Sequence, residues 1–342
     1  MRRRTRIWIT ALVGSACLGA GALLVGITPV AGAVTHAAQA SPVGAGAHRL
    51  GATARPQTIF GSGYDLVGSD GGVFVFPTGN PLVGGFFGSL PQLGITVRNV
   101  VGITPTDNYR GYDLVGSDGG VFVFPSGHSS GFYGSLPGQG IKVDNIVGIV
   151  PTNNSTGYDL VGSDGGVFAF PVGQSSGYFG SLPQRNVQVD NIVGIAATPD
   201  DQGYWLLGAD GTVYAFGDAP DLGGNLDYCA GAGTRYTCIL KLPGARFVGI
   251  ASTPDGKGYW LVTSTGQVLD LGDAPALGQL PVDSVDDVVS IVPTSDGTGY
   301  WMVASDGGIF AFGDAPFIGS LPGLGLSVDD VVGAVPTTWL QP

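Results

Sequence analysis

One twelve-residue stretch occurs three times in this chain without a single change. It reads GYDLVGSDGGVF at Gly63–Phe74 and returns at Gly111–Phe122 and at Gly157–Phe168. Three looser copies follow, at Gly203–Tyr214, Gly258–Leu269 and Gly299–Phe310. Such self-similarity is typical of repeat architectures, in which each unit buries its apolar surface against its neighbours. The chain is therefore predicted to consist of six tandem units.

Each unit is predicted to contain four short strands, which we name A to D. Strand A is an apolar run that begins 12 residues before the Tyr of strand B, as Val100 lies before Tyr112. An Asp-Gly-Gly turn then indicates a hairpin between B and C, because Gly supplies the positive φ that tight turns need. Strand C is Val73–Phe76 and its copies. Strand D is closed by Pro, and its clear copies are Phe86–Ser89, Phe132–Ser135, Tyr178–Ser181 and Phe317–Ser320.

Strand C is apolar on both faces, which indicates a sheet that is covered on both sides. Six such sheets, packed radially, predict an all-β fold: a six-bladed β-propeller of four-stranded antiparallel blades. The ends of the chain predict how this ring closes. No A strand precedes Tyr64, whereas an extra one, Val331–Val335, follows the last unit. We expect this C-terminal strand to pair with the first blade.

The N-terminus has the pattern of an export signal. Four arginines among the first six residues precede an apolar run, and Ala31-Gly32-Ala33 has the small-x-small form of a cleavage site. An uncleaved membrane anchor is the alternative. We therefore predict a signal peptide at 1–40, a flexible leader at 41–57 and the propeller at 58–342. The mature protein is expected to lack a membrane span and to be secreted, extracellular or associated with the cell envelope.

The charge of the chain excludes some classes of partner. All 26 acidic residues are Asp, and the formal net charge is −12. Removal of residues 1–40 takes away four arginines and so changes this charge to −16. A surface this acidic disfavours nucleic acid and anionic lipid. We expect a monomer that binds carbohydrate or another exported protein.

A cysteine-bearing insertion, at about 223–244, separates the fourth and fifth units. We expect Cys229 and Cys238 to form a disulfide, because export allows oxidation and the loop between them is short. An aromatic and basic loop of this kind is also a candidate recognition element, although an insertion without function is the alternative. Its candidate ligand-binding residues are Tyr228, Arg235 and Tyr236.

Two sets of Asp residues recur at fixed repeat positions. The first occupies the B–C turn in five units, where Asp is expected to bond nearby backbone N–H groups. Calcium is the alternative ligand of these turns, but no D-x-D-x-D loop supports it, so we expect no metal and no cofactor. The second set follows the Tyr of strand B in units 1 to 3 and consists of Asp65, Asp113 and Asp159.

The second Asp set allows two interpretations. Each Asp is either buried and bonded to a loop backbone, or part of a polar half-ring that contacts a ligand or an ion. The other three units have Trp at this position, and we expect these Trp residues to pack in the core. Exposed Trp would instead stack on sugar rings. The three are Trp205, Trp260 and Trp301.

One short motif suggests catalysis. Gly127–Gly131 matches the G-x-S-x-G nucleophile elbow of serine hydrolases. The elbow needs a strand-to-helix turn, whereas this segment lies in the predicted C–D turn of a β-sheet. Chance turn composition is therefore the better explanation, and we assign no catalytic residue.

The sixth unit has the most regular form of the repeat. Its sequence from Gly299 to Pro316, GYWMVASDGGIFAFGDAP, resembles the GYWLVASDGGVFAFGDAP tandem repeats of secreted actinobacterial proteins. The resemblance covers residues 59–342 and implies a propeller fold and export, without an assigned activity. Units 1 to 3 depart from this pattern, because they have Asp in place of Trp and Pro in place of Gly-Asp.

These features favour a secreted, non-catalytic binding module that recognises a cell-envelope polysaccharide or an exported protein. An extracellular glycosidase or lyase that uses Asp carboxylates is the second hypothesis. The absence of Glu argues against it, since only Asp would then serve as acid and base. A purely structural surface protein is the third.

Overall fold

A computed structural model describes residues 63–76, 86–106, 111–124, 131–152, 157–171, 177–232 and 235–337. Every described residue lies within Pro56–Pro342. The predicted signal peptide and leader lie outside the described residues.

The described residues form twenty strands, numbered here in chain order. The first ten are β1 Tyr64–Gly68, β2 Val73–Phe76, β3 Val100–Pro105, β4 Tyr112–Gly116, β5 Val121–Phe124, β6 Ile146–Pro151, β7 Tyr158–Gly162, β8 Val167–Phe170, β9 Ile192–Ala197 and β10 Gly203–Gly208. The others are β11 Val213–Gly217, β12 Leu226–Ala232, β13 Arg235–Leu240, β14 Phe247–Ser252, β15 Gly258–Thr263, β16 Val268–Gly272, β17 Val288–Pro293, β18 Gly299–Ala304, β19 Ile309–Gly313 and β20 Val331–Pro336.

Eighteen of these strands form six three-stranded antiparallel sheets, one for each repeat unit. In the order of units 1 to 6 the sheets are β20-β1-β2, β3-β4-β5, β6-β7-β8, β9-β10-β11, β14-β15-β16 and β17-β18-β19. Among the described strands, β12 and β13 pair only with each other. The chain thus has an all-β, propeller-like fold.

The prediction of a fourth strand in each unit is wrong for the described residues. In the first predicted strand D, Gly88 has a φ of 129°, in the left-handed half of backbone space that L side chains rarely adopt. The chain then enters a 3-10 turn, Pro91–Leu93. Phe87 donates its backbone N–H to the hydroxyl of Tyr112, and that hydroxyl donates to the carbonyl of Gly88. A side chain of the next unit therefore takes the place of a strand partner. Similar 3-10 turns are Pro137–Gln139, Pro183–Arg185 and Pro322–Leu324.

The last strand of the chain lies against the first. β20 pairs with β1 in antiparallel register, so that Tyr64 faces Pro336 and Leu66 faces Ala334. The A strands of the six sheets also contact one another in sequence, and β20 contacts both β17 and β3. This is the pairing that the offset between A strands and B-C-D sets predicts.

The core is divided into six hydrophobic clusters, and each is shared by two successive units. One of them joins unit 6 to unit 1 through Trp301 and Tyr64. The middle strand of every sheet is fully buried, whereas the outer strand, such as β2, is largely half-buried. At the inner edge, a Cβ added to Gly102 would lie 3.3 Å from Val115 and 3.5 Å from Ile149 of the next unit. A small residue is needed here because the inner strands approach one another closely.

Candidate functional site

Three of the contacts between units are built around Trp. The side chains of Trp205, Trp260 and Trp301 have no exposed surface. Each indole N–H donates to the carbonyl of a Pro in its own C–D connector, at 2.8–2.9 Å. Each indole also packs on the Tyr that begins strand B of the next unit, with ring centroids 5.4–5.8 Å apart. The prediction that these Trp residues pack in the core is confirmed, and the alternative that they are exposed is wrong.

The other three contacts between units have Asp at the same register position. Asp65, Asp113 and Asp159 are only 3–4% exposed. Among the described residues, Oδ1 of each carboxyl is buried and has no hydrogen-bond partner. An orphaned buried oxygen of this kind is costly, because it has lost its hydration without a replacement.

Burial shifts the titration of all three carboxyls. Desolvation disfavours the charged form and raises the pKa of Asp65 and Asp159 to about 8 and that of Asp113 to about 7. The negative charge of Asp201 raises the pKa of Asp159 further. These groups therefore hold a proton close to neutral pH.

Each buried carboxyl interacts with one Tyr of the following unit. The pKa of that Tyr is raised chiefly by its own burial, and the carboxyl of the preceding unit contributes to the shift. The three pairs are Asp65 with Tyr112, Asp113 with Tyr158, and Asp159 with Tyr204. The Asp residues thus lie in three separate interfaces, and the structure does not bring them together into one site.

A Tyr hydroxyl ties every unit to the one before it. Tyr64 donates to the carbonyl of Gly319 at 2.6 Å, which links unit 1 to unit 6. The equivalent bonds run from Tyr112, Tyr158, Tyr204, Tyr259 and Tyr300 to Gly88, Gly134, Gly180, Gly223 and Gly278. In units 2 to 4 the same hydroxyl accepts a backbone N–H from the residue before that Gly. These hydrogen bonds therefore hold the segments that were predicted as strand D, although the segments are not strands.

The held segments present one exposed aromatic side chain in each of four units. The exposed fractions of Phe86, Phe132, Tyr178 and Phe317 lie between 41% and 62%. In each case the next residue packs inward against the neighbouring unit, as Phe87 does. We name these four residues the aromatic row. Successive units contribute its members, in the order Phe317 of unit 6, Phe86 of unit 1, Phe132 of unit 2 and Tyr178 of unit 3.

The aromatic row does not follow from the strand pattern, because that pattern places these residues in a strand D. Two successive apolar residues, as in Phe86-Phe87, were the available signal. An extended chain directs neighbouring side chains to opposite sides, so that one of the two has to face outward unless another sheet covers it. The inward residue of each pair packs in the hydrophobic core, whereas the outward residue is exposed to solvent.

The predicted recognition insertion is a two-stranded hairpin. Tyr228 lies on β12, and Arg235 and Tyr236 lie on β13. The strand register places Cys229 directly opposite Cys238. The disulfide between these two residues remains a prediction.

The Asp residues of the B–C turns have the expected turn chemistry. Asp70 accepts the backbone N–H of Gly72 at 2.8 Å, and Asp118 accepts that of Gly120 at 3.1 Å. The equivalent residues of units 3, 4 and 6 form the same bond. Within the described ranges, no three His, Cys or Asp side chains gather as ligands of a metal ion would. The Ser residues of the Gly127–Gly131 motif lie outside the described residues.

Comparisons with known proteins leave the function open. No family model matches the chain, and no curated protein matches it. Among solved structures, the chain is similar to the β-propeller domain of Cps50 (Swd1) from Myceliophteria thermophila, with a TM-score of 0.39 and 10% identity. The match covers 63% of this chain and 65% of that domain. In the part of the chain that the structure describes, no helix has the length and apolar character needed to cross a membrane.

Proposed function

We propose that this chain is an exported, non-catalytic binding module whose six sheets are the blades of one closed ring. The pairing of β20 with β1 and the contact of Trp301 with Tyr64 support the closure. The hydrogen bond from Tyr64 to Gly319 supports it further, because it repeats between units 6 and 1 the link made between the other units. Such a ring is a rigid scaffold for a recognition surface.

The aromatic row is the observation that carries the binding function. A large apolar side chain that is 57% exposed, as Phe132 is, contributes little to folding. Its backbone is nevertheless fixed by the hydroxyl of Tyr158, which bonds Tyr133 and Gly134. Aromatic groups that are held rigidly and exposed at the same position of successive units are suited to contact a ligand. The ligand classes that we propose are polysaccharides of the cell envelope and exported proteins.

Export itself is part of the proposal, together with the resemblance to secreted actinobacterial repeat proteins. The N-terminal arginines and apolar run support cleavage near residue 33 or 40. Mass spectrometry of the exported protein tests this step, and the intact N-terminus would contradict cleavage. The same spectrum, recorded with and without reduction, tests the Cys229–Cys238 disulfide through a mass difference of about two hydrogens.

A binding screen tests the function. The exported, purified chain is applied to an immobilised glycan array and, separately, to immobilised exported proteins. We expect saturable binding to at least one member of these two sets, with no turnover of the bound glycan. If neither set retains the chain, the binding function is wrong and a purely structural role becomes the better description. If the glycan is cleaved, and cleavage is lost after substitution of Asp by Asn, the protein is an enzyme.

A further inference from the structure

We propose that the aromatic row binds one neutral polysaccharide chain through several equivalent contacts. This inference rests on the proposed binding function and specifies its surface and ligand. The four side chains that stack on sugar rings are Phe317 of unit 6, Phe86 of unit 1, Phe132 of unit 2 and Tyr178 of unit 3.

The four side chains belong to successive units, so they form one series rather than scattered exposures. Unit 6 is joined to unit 1 by the hydrogen bond from Tyr64 to Gly319, two residues after Phe317. The equivalent bond from Tyr112 to Gly88 joins unit 2 to unit 1, two residues after Phe86. Each row residue therefore lies two residues before the Gly that bonds the Tyr of the next unit. The row residues recur once in each of these units.

Three of the four segments that carry the row contain no Asp, Lys, Arg or His, although the protein as a whole has a formal charge of −12. These segments are Phe86–Val97, Phe132–Ile141 and Phe317–Val328, and the next residues are Arg98, Lys142 and Asp329. The segment in unit 3 contains Arg185, but its guanidinium lies over the ring of Phe216 at 3.8 Å and donates to the carbonyl of Ala215. The absence of charged side chains from these segments themselves favours an uncharged ligand over an ionic one.

Hydrogen-bonding groups beside two of the four rings fit a hydroxylated ligand. Tyr178 is 41% exposed as a residue, and its hydroxyl donates to Oε1 of Gln184 at 3.1 Å and lies 3.4 Å from the hydroxyl of Ser181. Gln92 has the position of Gln184 in unit 1. Sugar rings present apolar C–H faces and a rim of hydroxyl groups, so that an aromatic face with neighbouring amide and hydroxyl groups matches both parts.

Repetition favours a polymer over a single sugar. One exposed ring offers a weak contact, whereas four linked contacts act on a repeating chain at a high effective concentration. Units 4 and 5 interrupt the row, because Asp221 and Ala276 stand where the other units have an aromatic residue. The row therefore has a defined beginning and end, and its length can be altered by substitution.

Affinity gel electrophoresis of the exported, purified chain tests the proposal. The probes are three neutral polysaccharides (a mixed-linkage β-glucan, a galactomannan and an arabinogalactan) and one anionic polymer, polygalacturonate. We expect at least one neutral polysaccharide to retard the chain and polygalacturonate to have no effect. Each single change of a row residue to Ala should weaken the apparent Kd about 3- to 10-fold. The quadruple variant F86A/F132A/Y178A/F317A should lose retardation.

Two further variants make the test specific. Ala276→Phe and Asp221→Phe extend the row into units 5 and 4, and we expect the double variant to bind the same polysaccharide more tightly. Val282→Ala is the matched control, because Val282 is exposed and apolar but lies outside the row. It should bind like the unchanged chain.

Several outcomes would overturn the proposal. If the chain is retarded but the quadruple variant is retarded equally, the binding function stands and the row is not its surface. Retardation by polygalacturonate alone contradicts a neutral ligand. If sedimentation velocity shows a dimer that the quadruple variant abolishes, the row is a contact between copies. If no probe retards the chain, this inference fails, whereas the binding function fails only if the glycan array and the exported proteins also give nothing.

Discussion

The same position in the contacts between successive units holds an indole in one half of the molecule and a carboxyl in the other half. Between units 4 and 5, 5 and 6, and 6 and 1, a fully buried indole packs on the next Tyr and donates to a Pro carbonyl. Between units 1 and 2, 2 and 3, and 3 and 4, the same register position holds a buried carboxyl whose Oδ1 has no hydrogen-bond partner among the described residues. The backbone pairing is alike in both halves, as the registers of Asp113 with Val123 and Trp205 with Ala215 show.

The difference extends to the connector that covers this position. Between the last aromatic or apolar residue of strand C and the row position there are four residues in units 4 to 6, but seven or nine in units 1 to 3. The short connector supplies the carbonyl that the indole N–H needs, for example that of Pro316 for Trp301. The strands are therefore alike in all six units, whereas the residue after the Tyr and the length of the connector change together.

The largest expected effect of this difference is a dependence of stability on pH in the Asp half. In the unfolded chain an Asp has a pKa of about 3.9. The folded pKa is raised to about 8, 7 and 8 for Asp65, Asp113 and Asp159. The stability that these groups contribute is fully present below pH 3.9 and falls as the pH rises to about 8, because the unfolded state releases protons that the folded state retains. The upper limit of the slope is about 1.4 kcal/mol per pH unit for each carboxyl.

Chemical denaturation at several pH values between 4.5 and 8.5 measures this slope. The triple variant D65N/D113N/D159N should lose most of it, because an amide is uncharged at every pH. As a control, Asp118→Asn and Asp164→Asn alter exposed turn carboxyls of the same units and should leave the slope in place. A parent slope that the triple variant retains would show that the buried carboxyls are ionised or hydrated in the folded state.

The second largest effect is expected in the Trp half. Trp301→Ala removes a fully buried side chain between unit 6 and unit 1 and should lower the free energy of unfolding by about 3–5 kcal/mol. The matched change in the other half, Asp113→Ala, removes a buried carboxyl without a partner for Oδ1 and should cost less than about 1 kcal/mol at pH 7. Urea titration of both variants compares them. Equal costs would mean that the Asp carboxyls are as well satisfied as the indoles.

The repeats allowed much of this architecture to be predicted. The constant spacing between the A strand and Tyr112 and its equivalents predicts the hairpins, and the surplus strand at Val331 predicts its pairing with β1. The Trp residues were predicted to be buried because large apolar groups at a repeated strand position need a neighbour. These inferences depend on local pattern and on periodicity, both of which a sequence displays.

The former D strands and the unsatisfied carboxyls could not be predicted in the same way. The D segment has the composition of a strand, but its hydrogen bonds go to a Tyr hydroxyl of another unit. That contact joins residues at least 22 positions apart in the sequence and depends on how adjacent sheets pack. For Asp159, the sequence gives its position after Tyr158, but whether Oδ1 finds a donor depends on the three-dimensional path of its surroundings.

Loss of a Tyr hydroxyl should lower the free energy of unfolding by a smaller amount. The change tests whether the two halves differ in the hydrogen bonds that join successive units. Tyr112→Phe in the Asp half removes a hydroxyl that both donates to Gly88 and accepts from Phe87. We expect a loss of about 1–3 kcal/mol, because two backbone groups lose their partner. Tyr300→Phe in the Trp half removes a bond to Gly278 and should cost about 1 kcal/mol. Thermal and urea unfolding measure both, and a larger cost for Tyr300→Phe would reverse the expected order.

The smallest effect is expected from the aromatic row, which crosses the boundary between the halves. Phe132→Ala in the Asp half and Phe317→Ala in the Trp half each remove a side chain that is about 60% exposed. Both should change the free energy of unfolding by less than about 0.5 kcal/mol, as surface substitutions usually do. Urea unfolding of the two variants beside Trp301→Ala gives the comparison under one set of conditions. A loss above about 1.5 kcal/mol in either row variant would indicate that the ring packs against the fold in solution, and the surface would then not be free for a ligand. Equal and small effects would instead show that the row is independent of the chemistry that divides the interfaces below it.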